Sequence, residues 1–187
     1  DTSPDLRTQL LSAQVDRIDA VLYTHSHADH LNGIDDLRSV NRVIKDWIPA
    51  YANLQTWRDI VTRFNYVLEP LKNDTNFFYK PCLKRNDISA GDRFTIGNFD
   101  LTVMDQDHGF MRTLGYRIND FAYSTDVVNL PEESFEILKG ISTWMVGALW
   151  EEPHITHAHV DKVLNWAKRI KLVKDFKKIN QYLERLY

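Results

Sequence analysis

Ala20-Val21-Leu22-Tyr23-Thr24-His25-Ser26-His27-Ala28-Asp29-His30 reads as a short strand that delivers three imidazoles and a carboxylate to one point. The strand is expected over residues 20–23. Side chains of an extended chain alternate between faces, so His25 and His27 point the same way and can ligate one metal ion. A turn just after the strand then carries Asp29 and His30 to a second ion beside the first. The chain has seven histidines, and three of them fall within the hexapeptide His25-Ser26-His27-Ala28-Asp29-His30. That density separates the segment from a polar loop that merely follows a strand.

Four further segments stand around it: Asp1-Thr2-Ser3-Pro4-Asp5-Leu6-Arg7, His30-Leu31-Asn32-Gly33-Ile34-Asp35-Asp36-Leu37-Arg38, Gln106-Asp107-His108-Gly109 and Tyr123-Ser124-Thr125-Asp126-Val127. Together with the hexapeptide they resemble the metallo-β-lactamase superfamily, in the branch of the PhnP-type cyclic phosphodiesterases. The resemblance covers about residues 1–170. It implies an α+β fold, a four-layer αββα sandwich, as a single domain over residues 1–187, with 171–187 a divergent basic amphipathic helix. It also implies strands before Asp1 and a terminal strand ending in a ligand histidine. The chain opens directly on the Asp1 motif and has no histidine after His159, so the sandwich is expected to be incomplete at its N-terminal sheet and C-terminal strand.

Bulk properties fit a packed globule. The 187 residues are 43% hydrophobic and 12% aromatic with seven glycines, enough for one domain with a sizeable core. No apolar stretch reaches membrane-span length and no signal-peptide pattern opens the chain. The single Cys82 excludes an internal disulfide and fits a reducing, cytoplasmic compartment. With no histidine nearby, Cys82 reads as a buried structural residue. The net charge of −3 divides unevenly: residues 168–187 hold seven Lys or Arg against two acids, +5, leaving 16 basic and 24 acidic residues elsewhere, −8. Leu172, Phe176, Ile179 and Leu183 recur at helical spacing there, so the basic tail reads as a solvated helix face, which argues against a nucleic-acid partner.

Along the chain, strands and helices alternate. Helices are expected over 34–40, 54–64 (with Leu54, Trp57, Ile60, Val61 and Phe64 on one face), 131–138 and 159–170. Strands are expected over 48–52 and, buried, over 144–146. Residues 93–104 and 114–124 read as hairpins turning at Gly97-Asn98 and Asn119-Asp120. Residues 69–90 read as a long surface excursion. Pro131 can open its helix because its missing N–H is not needed there.

By the matched motifs, His25, His27 and His108 would hold one ion, Asp29 and His30 the other, with Asp126 bridging. Mixed imidazole and carboxylate ligands accept Zn²⁺ or Mn²⁺. Two such ions stabilise an in-line displacement from both sides, with a shared hydroxide as nucleophile. Asp1, Asp5, Asp35, Asp36 and Asp107 are candidates for holding the second nitrogen of a ligand imidazole, Asp1 first among them. In His154-Ile155-Thr156-His157-Ala158-His159, His159 best matches the position from which a non-ligand histidine protonates the leaving oxygen, ahead of His157 and His154. Asp29 is counted among the catalytic groups as well as the ligands. Trp57, Trp144 and Trp166 read as core, and Trp150 as a residue at the mouth of the cleft.

The leading function is hydrolysis of a small cyclic or nucleotide-like phosphodiester by two Zn or Mn ions. The alternatives are a ribonuclease Z-like RNA phosphodiesterase and an inactive truncated remnant. A ribonuclease Z-like enzyme should carry a His-Ser-Thr segment and a tRNA-clamping arm, neither of which is evident in the sequence. A truncated sandwich would expose apolar sheet surface, so self-association into a homo-oligomer is an expected consequence.

Overall fold

The structure, a computed structural model, describes residues 1–72 and 77–172. The chain divides into two compact units, residues 1–92 with 96–98, and residues 93–95 with 99 onward.

The first unit is built on a parallel sheet in the order β1-β2-β3, with β1 Val21–Leu22, β2 Ile48–Ala52 and β3 Leu83–Asp87. Its helices are α1 Leu6–Ser12, α2 Ala28–Leu31, α3 Leu37–Ile44 and α4 Leu54–Phe64. The α4 helix forms as its sequence dictates. Asn53 caps it by accepting from Thr56 N at 2.8 Å, and the periodic Trp57 and Ile60 are fully buried. Leu54 and Val61, expected on the same face, turn outward instead. The core gathers Tyr23, Leu31, Ile34, Leu37, Ile48, Trp57 and Ile60.

Several boundaries depart from the sequence reading. The strand expected over 20–23 is paired only at Val21 and Leu22. Residues 34–36 form a 3₁₀ turn before α3, and α1 has no counterpart in the reading. The excursion expected over 69–90 contains β3, which pairs along its length with β2 from Ile48↔Leu83 to Ala52↔Asp87. Lys84, Arg85 and Asp87 hide it, because a sheet-edge strand with only Leu83 buried shows no apolar alternation. Buried Asn41 secures its start, donating to Cys82 O at 3.0 Å and accepting from Cys82 N at 3.1 Å. Cys82 is buried as expected, and that burial pushes its thiol pKa up.

The second unit holds a five-stranded sheet in the order β4-β5-β6-β7-β8: β4 Arg93–Ile96, β5 Phe99–Asp107, β6 Arg112–Ile118, β7 Phe121–Ser124 and β8 Thr143–Val146. The β5–β6 and β6–β7 ladders are antiparallel, and β7–β8 is parallel. A parallel pair requires a crossover, supplied by α5 Glu132–Leu138. Helix α6 Val160–Arg169 follows β8. Met104, Ala122, Phe135, Leu138, Val163 and Trp166 form this unit's own core. The 144–146 strand, expected buried, is an edge strand: Met145 is 46% exposed and Trp144 half-buried, with its ring 6.3 Å from that of Trp166. The basic amphipathic helix read from Phe176, Ile179 and Leu183 lies outside the described residues.

Candidate functional site

Each unit carries its own set of ligand-type side chains. In the first, the chain leaves the sheet after Tyr23, whose N–H donates to Tyr51 O at 2.9 Å, bends at Thr24 and reaches His27, the N-cap residue of α2. This bend and one helical turn bring the three imidazoles together: the His25 ring lies 4.5 Å from His27 and 4.3 Å from His30, centroid to centroid. His25 is buried and His27 exposed. Asp29 Oδ2 stands 3.2 Å from His30 Nε2.

Asp1 organises this set. Its carboxylate accepts from Thr24 N at 2.7 Å, from Thr24 Oγ1 at 2.8 Å and from His30 Nδ1 at 2.9 Å. Because a carboxylate only accepts, the His30 Nδ1 that meets Asp1 is the donor in that bond, and Nε2 is turned toward Asp29. The same logic fixes His25. The Thr24 hydroxyl spends its hydrogen on Asp1, so its oxygen, 3.0 Å from His25 Nδ1, accepts from that nitrogen. Both rings are thereby held in the tautomer a metal ligand needs. Of the other acids considered for this role, Asp35 accepts from Tyr66 Oη at 2.7 Å, and Asp107 from Gly109 N at 2.8 Å.

In the second unit, His108 directly follows β5, which runs three residues further than the sequence reading. Its Nδ1 donates to Thr156 O at 2.8 Å, and a carbonyl too can only accept, so Nε2 is again the lone-pair nitrogen. Asp126 Oδ2 lies 3.6 Å from His108 Nε2. Asp126 sits two residues past β7 with φ +48, in the left-handed region that aspartate tolerates better than most residues. Gln106 underlies this turn: its amide donates to Thr113 Oγ1 at 3.2 Å and to Thr125 O at 3.1 Å, while Thr113 Oγ1 donates to Asp126 O at 3.1 Å. Gly109 has φ +81, and a Cβ there would lie 2.7 Å from Ile155 O, so glycine is what lets the His108 turn close on the 154–157 segment.

Among the late histidines it is His157 that reaches this set. Its Nδ1 is 3.9 Å from Asp126 Oδ1 and its ring 4.9 Å from that of His108. His154 follows at 5.5 Å from His157 and stacks on the half-exposed Trp150 at 5.2 Å. His159, placed first by the sequence reading, is the N-cap residue of α6, and Val160 N donates to Trp150 O at 3.2 Å beside it. Sequence reasoning did not find Thr24 or the Thr156 carbonyl. A backbone carbonyl leaves no signal in residue type, and Thr24 could be noticed only as the hydroxyl preceding the first histidine.

The donor set fits divalent cations. Acceptor pairs such as His30 Nε2 with Asp29 Oδ2 and His108 Nε2 with Asp126 Oδ2 call for a proton or a cation between them, and neutral imidazole with carboxylate suits Zn²⁺ or Mn²⁺.

Residues 1–176 match the beta-lactamase superfamily domain. The chain is 31% identical over 169 residues to an octanoyltransferase of Porphyromonas gingivalis (strain ATCC BAA-308 / W83), covering 88% of this chain and 32% of that protein. It therefore spans about a third of the curated relative it matches. Among solved structures it resembles a diphosphatase from the PhnP family, with a TM-score of 0.79 and 30% identity over 91% of this chain and 63% of that one. The short form of human tRNase Z superposes with a TM-score of 0.66 at 14% identity, over 91% of this chain and 76% of that one, a likeness of fold alone.

Proposed function

Because the chain belongs to the beta-lactamase superfamily, in its PhnP-like branch, we propose that it is a metal-dependent hydrolase of a small cyclic or nucleotide-like phosphodiester. His25, His27 and His108 would hold one ion, Asp29 and His30 the other, with Asp126 serving both. Bound there, two Zn²⁺ or Mn²⁺ ions supply Lewis acidity toward phosphoryl oxygens and bring the ionisation of water close to neutrality. The observation that carries the reading is the tautomer lock. His25, His30 and His108 are each anchored through Nδ1, by Thr24, Asp1 and Thr156, which leaves Nε2 of these three rings to serve as the ligating atom.

The chain's own residues then divide the work. Asp1 and Thr24 orient two imidazoles, and Gln106 and Thr113 hold the Asp126 turn. His157, facing Asp126 and His108, is positioned to give a proton to the leaving oxygen, a role for which His159 remains the second candidate. The test is elemental analysis of the purified protein for Mn, Zn and Fe, followed by turnover of a 2′,3′-cyclic nucleotide. About two ions per chain and hydrolysis are expected, as for a two-metal site. The His27→Ala variant should lose both, and turnover with unchanged metal content in that variant would overturn the assignment.

A further inference from the structure

Residues 24–27 carry two proposed ligand histidines past the end of β1, and side chains from two directions reach their backbone. Asp1 takes Thr24 N from one direction. From another, helix α4 takes Ser26, the residue between His25 and His27. Ser26 Oγ donates to Asp59 Oδ2 at 2.5 Å, and Arg63 Nη2 donates to Ser26 O at 2.5 Å. Asp59 and Arg63 stand four residues apart, so both project from one face of α4, a turn from each other. Gln55, four residues before Asp59, reaches Asp59 Oδ1 at 3.4 Å. The helix behind them is fixed by the fully buried Trp57 and Ile60.

From this geometry we infer that Asp59 and Arg63 are positioning residues for the metal ligands, setting the spacing of the His25 and His27 donors through Ser26. The inference rests on the metal-binding reading above. A hydroxyl bonded to a carboxylate makes one of the stronger hydrogen bonds available, and a guanidinium on the Ser26 carbonyl is also charge-assisted. Each grips a different atom of Ser26, so together they fix both the position and the rotation of the peptide linking the two ligands. Donor sets tolerate displacements of only about 0.5 Å before affinity suffers. Arg63 is exposed and Asp59 only half-buried, and neither belongs to the unit's core. Their effect should therefore register on the metal and hardly on the stability of the metal-free fold.

The experiment is a titration of metal-free protein with Zn²⁺ or Mn²⁺ against a chelating dye, alongside thermal unfolding of the same metal-free samples. Ser26→Ala and Asp59→Ala should each weaken metal binding by about tenfold, the scale for outer-shell partners of a metal site. The Ser26→Ala/Asp59→Ala double variant should be no weaker than either single one, because both act through one contact. Arg63→Ala should also weaken binding, with Arg63→Lys restoring much of it, while the metal-free unfolding midpoint stays near that of the parent. Ser26→Ala removes a single hydroxyl and carries the test should Asp59→Ala fail to fold. Binding within about twofold of the parent in the Asp59 and Arg63 variants, or full additivity in the double variant, overturns the inference. A parent protein that binds no ion overturns the metal site itself, and this inference with it.

Discussion

Asp1 concentrates three hydrogen bonds on one carboxylate, and through them it holds His30 directly and His25 by way of Thr24. Removing it frees two rings to rotate and to shift their protons. Asp1→Ala should therefore weaken metal binding by about 10–100-fold, measured by the same dye competition. The proposed acid is also tested at this scale. His157→Ala should lower turnover of a cyclic phosphodiester by about 10²–10⁴-fold if it protonates the leaving oxygen, and His159→Ala by far less. The reverse order would return the role to His159. The spacing of residues 25–30 marks them as candidate ligands because chelation needs those residue types. Which late histidine approaches Asp126 depends on how the 154–157 segment folds over Gly109, and that segment has no periodicity to read.

Among elements, the attachment of the 1–3 segment shows how packing serves the site. Thr2 N donates to His30 O at 2.7 Å and Gly33 N to Thr2 O at 3.0 Å, which lays the segment beside the turn after α2 and brings Asp1 to His30. The approach is so close that a Cβ on Gly33 would stand 1.8 Å from Ser3 O. Gly33→Ala should destabilise the protein by about 3 kcal/mol or more, the upper range for overpacking a rigid contact. It should weaken metal binding in step, since the shift is passed to Asp1. Chemical denaturation and dye competition on one sample check both effects. At this scale α4 was legible from its periodic apolar residues, and β2 was expected as a short strand over 48–52. The edge strand β3 was not, since its polar residues carry no period and only its partner β2 makes it a strand.

For the whole molecule, burial sets a limit on the alkaline side. Tyr23 and Tyr116 are almost wholly enclosed, and burial raises both hydroxyls well above the ordinary tyrosine value of 10.0. Above that value the unfolded chain loses these protons while the folded chain keeps them. Stability is therefore fully present below pH 10 and falls as pH rises beyond it, by about 1.4 kcal/mol per pH unit for each tyrosine. Denaturant unfolding at pH 9, 10 and 11 should show the loss, and Tyr116→Phe should lessen its slope. Among the described residues no helix is long and apolar enough to cross a membrane, in agreement with the hydropathy of the sequence. The sequence by itself determined the superfamily, the helices α4 to α6 and the burial of Cys82, because these rest on residue type and spacing along one stretch of chain. Only the tertiary structure decided that Thr24, Asp1 and Thr156 engage Nδ1 of His25, His30 and His108, that His157 lies beside Asp126, and that α4 grips Ser26. Those depend on carbonyls, close backbone approaches and side chains brought together from 20 to 50 residues apart, as the separations of Asp1 from Thr24, Ser26 from Asp59 and His108 from Thr156 show. Chain folding alone sets such distances.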